Sequence, residues 1–375
     1  MKTLILTIAL LLFAGLSGVQ ADTGDLYAAE VRVSDDTLEV RNEALKRALQ
    51  QVLVRLSGSA EVGGHPGVGS LLERAPSLVQ QFRYRLGEVA PGVEGEASRF
   101  LWARFDKASL DRSMRGAGIP VWGARRPRVL LWLASEQRGA RQLVSLETDV
   151  AAREALMARA RERGMPLQLP LVDLLDQSAL SAADLWAGYE AAIREASERY
   201  PHDAILTGRL RDLGGRWEAQ WTLLDRAATD TFKAAGSTRS AVMASGIDAA
   251  QDLLSARYAP ASSGEGPGFT RVRVRGVDSV AAYGRLMAII RSQELITRTD
   301  VRGTQGDDLF LDIWVRGGQE ALNRMLSLGG ELYPAPAVEP EPIEPATRSA
   351  LAPTAEDALR ADLIFDFYPS LPSGR

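Results

Sequence analysis

The sequence predicts an α/β (α+β) protein: small mixed-sheet domains with helices packed on their sheets, followed by a disordered C-terminal tail. Three observations carry this reading. Period-two runs such as Arg271-Val272-Arg273-Val274-Arg275 alternate along the chain with helical spacings such as Leu38, Leu45, Ala48, Leu49, Val52, Leu53 and Leu56. A Pro/Gly/Ser stretch, Pro260–Gly268, and an acidic stretch holding six prolines, Pro334–Pro353, interrupt those patterns. The chain has 375 residues, 46% hydrophobic and 25% charged, which suffices for two or three domains with real cores. It excludes a wholly disordered chain, a collagen and a multi-span membrane protein.

Lys2 precedes an apolar run from Leu4 to Ala14, and small residues follow, with Val19 and Ala21 just before Asp22. A positive region, an apolar core and a small-residue site form a secretory signal peptide, with cleavage expected between Ala21 and Asp22. The run falls short of the ~20 residues of a membrane-spanning helix, which argues against an uncleaved anchor. No later stretch is apolar enough to span, so no transmembrane segment is expected after cleavage. An exported chain with no cysteine suits the bacterial periplasm.

Residues 22–122 read as an N-terminal α/β domain, strand–helix–strand–strand–helix. Leu26–Val33 alternates weakly. Asp36 is the expected N-cap of the following helix, with Glu39 as its capping-box partner, and Gly58 suits its C-terminal end. Gly63–Gly69 reads as an irregular loop. Leu78–Leu86 and Ser98–Phe105 read as strands, and Asp106 caps a helix with Leu110 and Met114 one turn apart.

Residues 123–259 read as a central mixed-sheet α/β domain. Val129–Ala134 is a continuous apolar run, suited to a strand buried on both faces. A helix over Asp149–Arg163 closes at Gly164, and Leu167–Leu169 is a short strand. Ser181 and Asp184 open a helix with Leu185, Tyr189, Ile193 and Ala196 on one face. Three strands follow, Ala204–Arg211, Trp217–Leu224 and Thr231–Ser237, spaced as hairpins, then a helix over Ala241–Arg257. Two strand–helix units and a meander give a three-layer sheet.

After a linker, residues 260–269, the stretch 270–333 reads as a small βαββα domain. Its core is marginal alone, so it is expected to pack on a neighbour. Residues 334–375 read as a Pro-rich tail with an aromatic terminal segment, Leu363-Ile364-Phe365-Asp366-Phe367-Tyr368. Leu363, Phe365 and Phe367 share one face of an extended strand. That pattern suits docking on a sheet edge, its own or a partner's.

Composition removes several function classes. Cysteine is absent and histidine occurs twice, which excludes thiol chemistry, iron–sulfur clusters and thiolate zinc sites. No cofactor or metal is expected, although calcium, which needs only oxygen ligands, stays open. A formal net charge of −4 argues against nucleic-acid binding. No glycine pattern for nucleotide phosphates is present. No catalytic, cofactor-binding or metal residue is therefore assigned.

Candidates remain to be weighed. His202 precedes Asp203, but neighbouring side chains of an extended chain point apart, and His65 sits in the glycine loop. Asp173 and Asp176 suit a glycosidase pair or a capped turn. Trp217 and Trp221 share a strand face and suit a sugar platform or core packing. Arg271, Arg273 and Arg275 suit an anion-binding stripe or a solvated strand face. With Phe365, Phe367 and Tyr368 they are the candidate interaction residues.

Arg41–Leu45 with Val52–Gly58, Gly118–Gly123 with Arg126–Ala134, and Asp203–Leu210 resemble successive motifs of the bacterial domain-of-unknown-function family 2066. The resemblance runs over about residues 25–330. It implies an uncharacterised exported protein and transfers no catalytic residue, because that family has no established activity. In element order the second segment is also similar, as a fold analogy alone, to domains of envelope-assembly factors. The resulting expectation is a non-catalytic periplasmic protein, an interaction or assembly factor of the bacterial cell envelope, with unknown envelope proteins as partners. The alternatives are an envelope glycan hydrolase using paired carboxylates and a glycan- or solute-binding module.

Overall fold

The computed structural model describes residues 25–87, 98–259, 269–293, 295–336 and 361–368. These residues form an α/β (α+β) protein with three sheets, each carrying its own helices and core. The expected cleavage site at Ala21 and Asp22, the linker 260–268 and the proline-rich stretch 337–360 lie outside the described residues.

The first unit comprises β1 (Ala28–Val33), α1 (Leu38–Ser57), a 3₁₀ turn (Ala60–Gly64), α2 (Val68–Glu73), α3 (Ala75–Leu78), β2 (Val79–Leu86), β3 (Arg99–Phe105) and α4 (Lys107–Gly116). β3 lies between β1 and β2, antiparallel to both. α1 buries Leu45, Ala48, Leu49, Val52, Leu53 and Leu56 against the sheet, a face set by spacings of three and four. Its start differs from expectation. Thr37 is the N-cap, and Asp35 closes the turn by accepting from the Thr37 N–H at 2.9 Å and its hydroxyl at 2.6 Å. Asp36 pairs instead with Arg99. The glycine-rich loop is largely helical, because Val62, Val68 and Leu71 fold it onto the core.

The second unit comprises β4 (Val129–Gln137), β5 (Ala140–Leu143), α5 (Val150–Arg163), β6 (Leu167–Gln168), α6 (Leu174–Ala179), α7 (Ala182–Ala187), α8 (Glu190–Ser197), β7 (Ala204–Asp212), β8 (Trp217–Leu224), β9 (Thr229–Gly236) and α9 (Arg239–Tyr258). The order is β5-β4-β7-β8-β9, with β6 beside the start of β4. β4 and β7 run parallel, and β7, β8 and β9 form an antiparallel meander. Val129, Leu131 and Leu133 face the α5/α9 layer, while Leu130, Trp132 and Ala134 face α7 and α8. The single helix expected from Ser181 to Ala196 is two helices. Gly188 takes φ 75°, ends α7 and turns the chain before α8. Trp221 is fully buried, and two glycines make its room. A Cβ would sit 2.3 Å from the indole at Gly246 of α9 and 2.5 Å away at Gly208 of β7.

The third unit comprises β10 (Phe269–Arg275), α10 (Val280–Arg291), β11 (Ile296–Gln305), β12 (Asp308–Val315), α11 (Gly318–Leu326), β13 (Leu332–Ala335) and β14 (Leu363–Phe367), in the order β11-β12-β10-β14-β13. The aromatic terminal segment docks on its own sheet, one of the two dockings its alternation suited. Pro334 lies in β13, opposite Phe365. β14 enters the sheet parallel to β10, and Phe365 and Phe367 are 0% and 3% exposed in its core.

Buried arginines join the first two units. Arg126 donates to the carbonyls of Arg55 (2.7 Å), Trp122 (2.8 Å), Gly123 (3.0 Å) and Gly164 (3.0 Å). Arg55 donates to Ala28 (2.7 Å) and Asp25 (3.1 Å), and Arg163 donates to Gly58 (3.0 Å) and the Asp252 carboxylate (2.5 Å). The C-terminal ends of α1 and α5, with their unpaired carbonyls, thus converge on fixed cations. Gly164, at φ 67°, ends α5 where a Cβ would stand 2.6 Å from both Arg126 and Arg55. The third unit sits on the second through Arg226 donating to the Ser327 carbonyl and Gly329 N–H donating to Asp203.

Arg126→Leu should lower unfolding stability by about 3 kcal/mol, because it leaves several buried carbonyls unpaired. Phe365→Ala should cost about 4 kcal/mol through the cavity left beside β10. Denaturant titration of each variant measures both losses; values under about 1 kcal/mol would show these groups to be peripheral.

Candidate functional site

The outer face of the second sheet is only half covered. α7 lies across β5, β4 and β7, and the break at Gly188 keeps it short. The outward residues of β8 and β9 remain open. Register sets them in rows across three strands: Arg209, Gln220 and Lys233 in one, Arg211, Glu218 and Ala235 in the next. These rows floor a cleft of about 530 Å³, walled by Trp186 at the end of α7.

The charges in the cleft are unequal. Arg211 and Arg141 both bond Glu136, at 3.0 and 2.9 Å, and both stack over Trp186, at 5.6 and 4.7 Å from the ring. Trp186 is thereby engaged by cations rather than offered as a bare platform. Arg216 pairs with Glu218 at 3.4 Å. Among the described residues Arg209 has no carboxylate partner; it donates to the Trp186 carbonyl at 2.5 Å, and burial draws its pKa below the usual guanidinium value. Lys233 is exposed and makes no ion pair among the described residues, whereas Lys46 and Lys107 are bonded to Glu73 and Asp111. The row therefore presents a guanidinium, an amide and an ammonium without a counter-charge. That donor set suits carboxylate or phosphate oxygens.

The residues singled out from the sequence lie elsewhere. Asp173 caps α6, and Arg199 binds it through two oxygens, at 2.7 and 2.8 Å. Arg199 also reaches Asp176 at 2.9 Å, and the buried Asp176 accepts from the Tyr200 hydroxyl (2.6 Å) and the Val172 N–H (2.8 Å). The pair forms a capped, ion-paired turn. His202 donates from Nδ1 to the Tyr200 carbonyl at 2.8 Å, in the tautomer that carbonyl requires, and Asp203 binds Arg128 instead. His65 accepts from the Gly67 N–H. Trp217 and Trp221 share the face turned toward α9, where Trp221 is core.

The arginine stripe of β10 is neutralised by neighbouring strands. Arg273 pairs with Asp308 of β12, and Arg275 lies 3.6 Å from Asp366 of β14. Arg271 stacks on Phe269. The stripe is a solvated face on a central strand, not a sheet edge. Phe365 and Phe367, expected as interaction residues, are core residues of their own sheet, so their surface role is corrected. Tyr368 stays exposed and packs edge-on against Tyr333 at 5.7 Å. Among the described residues no group of three or more His, Asp or Glu side chains is placed to hold a metal, and no helix is long and apolar enough to cross a membrane.

Sequence reasoning missed Arg209, Gln220 and Lys233. The available signal was their shared polar phase in three successive strands.

Residues 21–123 match the family model described as a domain of unknown function, DUF8605. The match spans the first sheet and ends at Gly123, beside the arginine junction. It replaces family 2066, whose assignment from the motifs is corrected. No curated protein matches the chain. No solved structure matches it either.

Arg199 holds the Asp173 carboxyl well below the usual range, to about 2, with the Asp176 N–H assisting. A depressed carboxylate stabilises the fold above its unfolded pKa near 4, and that contribution fades as pH falls toward 2. Carbon-detected titration of Asp173 should give a midpoint near 2, and Arg199→Ala should return it toward 3.8. An ordinary midpoint in the unmodified protein would break the ion-paired assignment.

Proposed function

We propose that this protein is a non-catalytic interaction or assembly factor of the bacterial cell envelope, exported to the periplasm, which holds an anionic partner in the cleft beside Trp186. The row Arg209–Gln220–Lys233 carries the reading. It sets three donors side by side, two of them cationic and without a carboxylate, on the floor of an open cleft. Partial burial of Arg209 costs solvation that an anionic partner restores. β9 is the outermost strand of the meander, so an extended partner reaches the row from the sheet edge. The positive, apolar and small-residue order of Lys2 to Ala21 supports export.

The hydrolase alternative is disfavoured because Asp173 and Asp176 are both spent on Arg199. The sugar platform is disfavoured because Trp221 is core.

A tagged chain captured from the periplasm of its native host should begin at Asp22 by intact mass and retain acidic envelope components. Gln220→Glu with Lys233→Glu should reduce that capture at least tenfold with unfolding unchanged. Equal capture by the charge-reversed variant, or a chain kept in the cytoplasm with Met1, would overturn the proposal.

A further inference from the structure

A second, chemically different opening lies on the other side of the same sheet. Pro166 and Pro170 bracket Leu167-Gln168-Leu169 and restrict pairing on both sides, since proline has no N–H to donate. β6 is accordingly two residues long. The sheet edge stops short, and the core between α5 and β6 opens to solvent as a groove of about 700 Å³. Its apolar floor is Met157 and Leu169, half-buried, lying over Met165 and Leu167, which are buried core residues at the base of the groove. Methionine side chains adapt to the shape of an apolar guest.

The arginines of α5 divide by side. Arg159 and Arg163, toward α9, are ion-paired to Asp248 and Asp252. Arg153 and Arg161, which line the groove, make no side-chain hydrogen bond or ion pair among the described residues, although Arg153 is half-buried. They stand eight residues apart, about 12 Å along the helix, on either side of Met157. Glu154 is the one acid in the lining among the described residues. An apolar trough flanked by two unpaired cations matches a molecule with one apolar chain and one anionic head.

We propose that this groove binds a single-chain anionic amphiphile, its chain laid along Met157, Met165, Leu167 and Leu169 and its carboxylate or phosphate head held by Arg153 or Arg161. The site is separate from the Trp186 cleft and does not depend on that reading. A second copy of the chain or an apolar peptide is a worse fit, since neither brings an anionic head at the end of an unbranched apolar chain.

The test is calorimetric titration of the purified chain, below micelle formation, with palmitate, 1-palmitoyl-lysophosphatidylglycerol and uncharged monopalmitoylglycerol. Saturable one-to-one binding of either anionic probe, at least tenfold tighter than of the uncharged one, is expected. Palmitate alone would identify a carboxylate head, and the lysophospholipid alone a phosphate head. Arg153→Gln with Arg161→Gln should erase the tenfold preference, and Lys233→Glu should leave it intact. A photoreactive fatty acid should label Met157 or Met165 in the unmodified chain, a readout that needs no variant. The proposal fails if neither anionic probe saturates, if the uncharged probe binds equally, if the double variant keeps the preference, if labelling falls outside the groove, or if sedimentation shows the groove closed by self-association.

Discussion

Buried guanidinium groups hold the first sheet to the second, and the relation between those units rests on them. Two helices, α1 and α5, end at the same place, and each brings carbonyls with no partner inside its own helix. Water is excluded there, so the carbonyls need fixed donors. Arg126 fills that need from the connecting segment itself, reaching four carbonyls, with Trp122 under its plane at 4.7 Å. A lysine, with one nitrogen, reaches fewer acceptors from one position. The glycines at the two helix ends belong to the same constraint, since side chains there would collide with Trp122, Ser255, Arg55 or Arg126.

The second unit shows how coverage of a sheet creates openings. Its inner face is covered by α5 and by the long helix α9, brought close by Gly246 against Trp221. Its outer face has only the short helices α7 and α8, which cover β4 and β7 and leave β8 and β9 open. Polar residues in phase on three strands therefore become a cleft floor. On the opposite flank, prolines end β6 early and leave a groove over the half-buried Met157 and Leu169. Both openings arise where a covering element stops.

The third unit solves a problem of size. A domain near 64 residues struggles to bury enough surface by itself. The chain's last described segment supplies the missing strand, placing Phe365 and Phe367 between β10 and β13. Aromatic residues near a terminus, which resemble a lure for partners, are here the centre of a core.

Much of the fold was legible along the chain. The burial of β4 on both faces, the α1 and α5 faces, the Ser181–Asp184 capping box and the βαββα order follow from residues within a turn or two of each other. The absence of cysteine by itself excluded thiolate chemistry. Tertiary structure decided the rest: the break at Gly188, the use of Asp35 instead of Asp36, the entry of β14 beside β10, and the neutralising of Arg273 by Asp308. It also decided the candidate site. Arg209 and Lys233 are 24 residues apart in sequence and share a row only because two hairpins hold one register. Sliding either strand by one residue would turn its polar row into the core. Local patterning depends on neighbours in the chain and was readable, whereas the meeting of side chains across strands depends on pairing that only the folded sheet supplies.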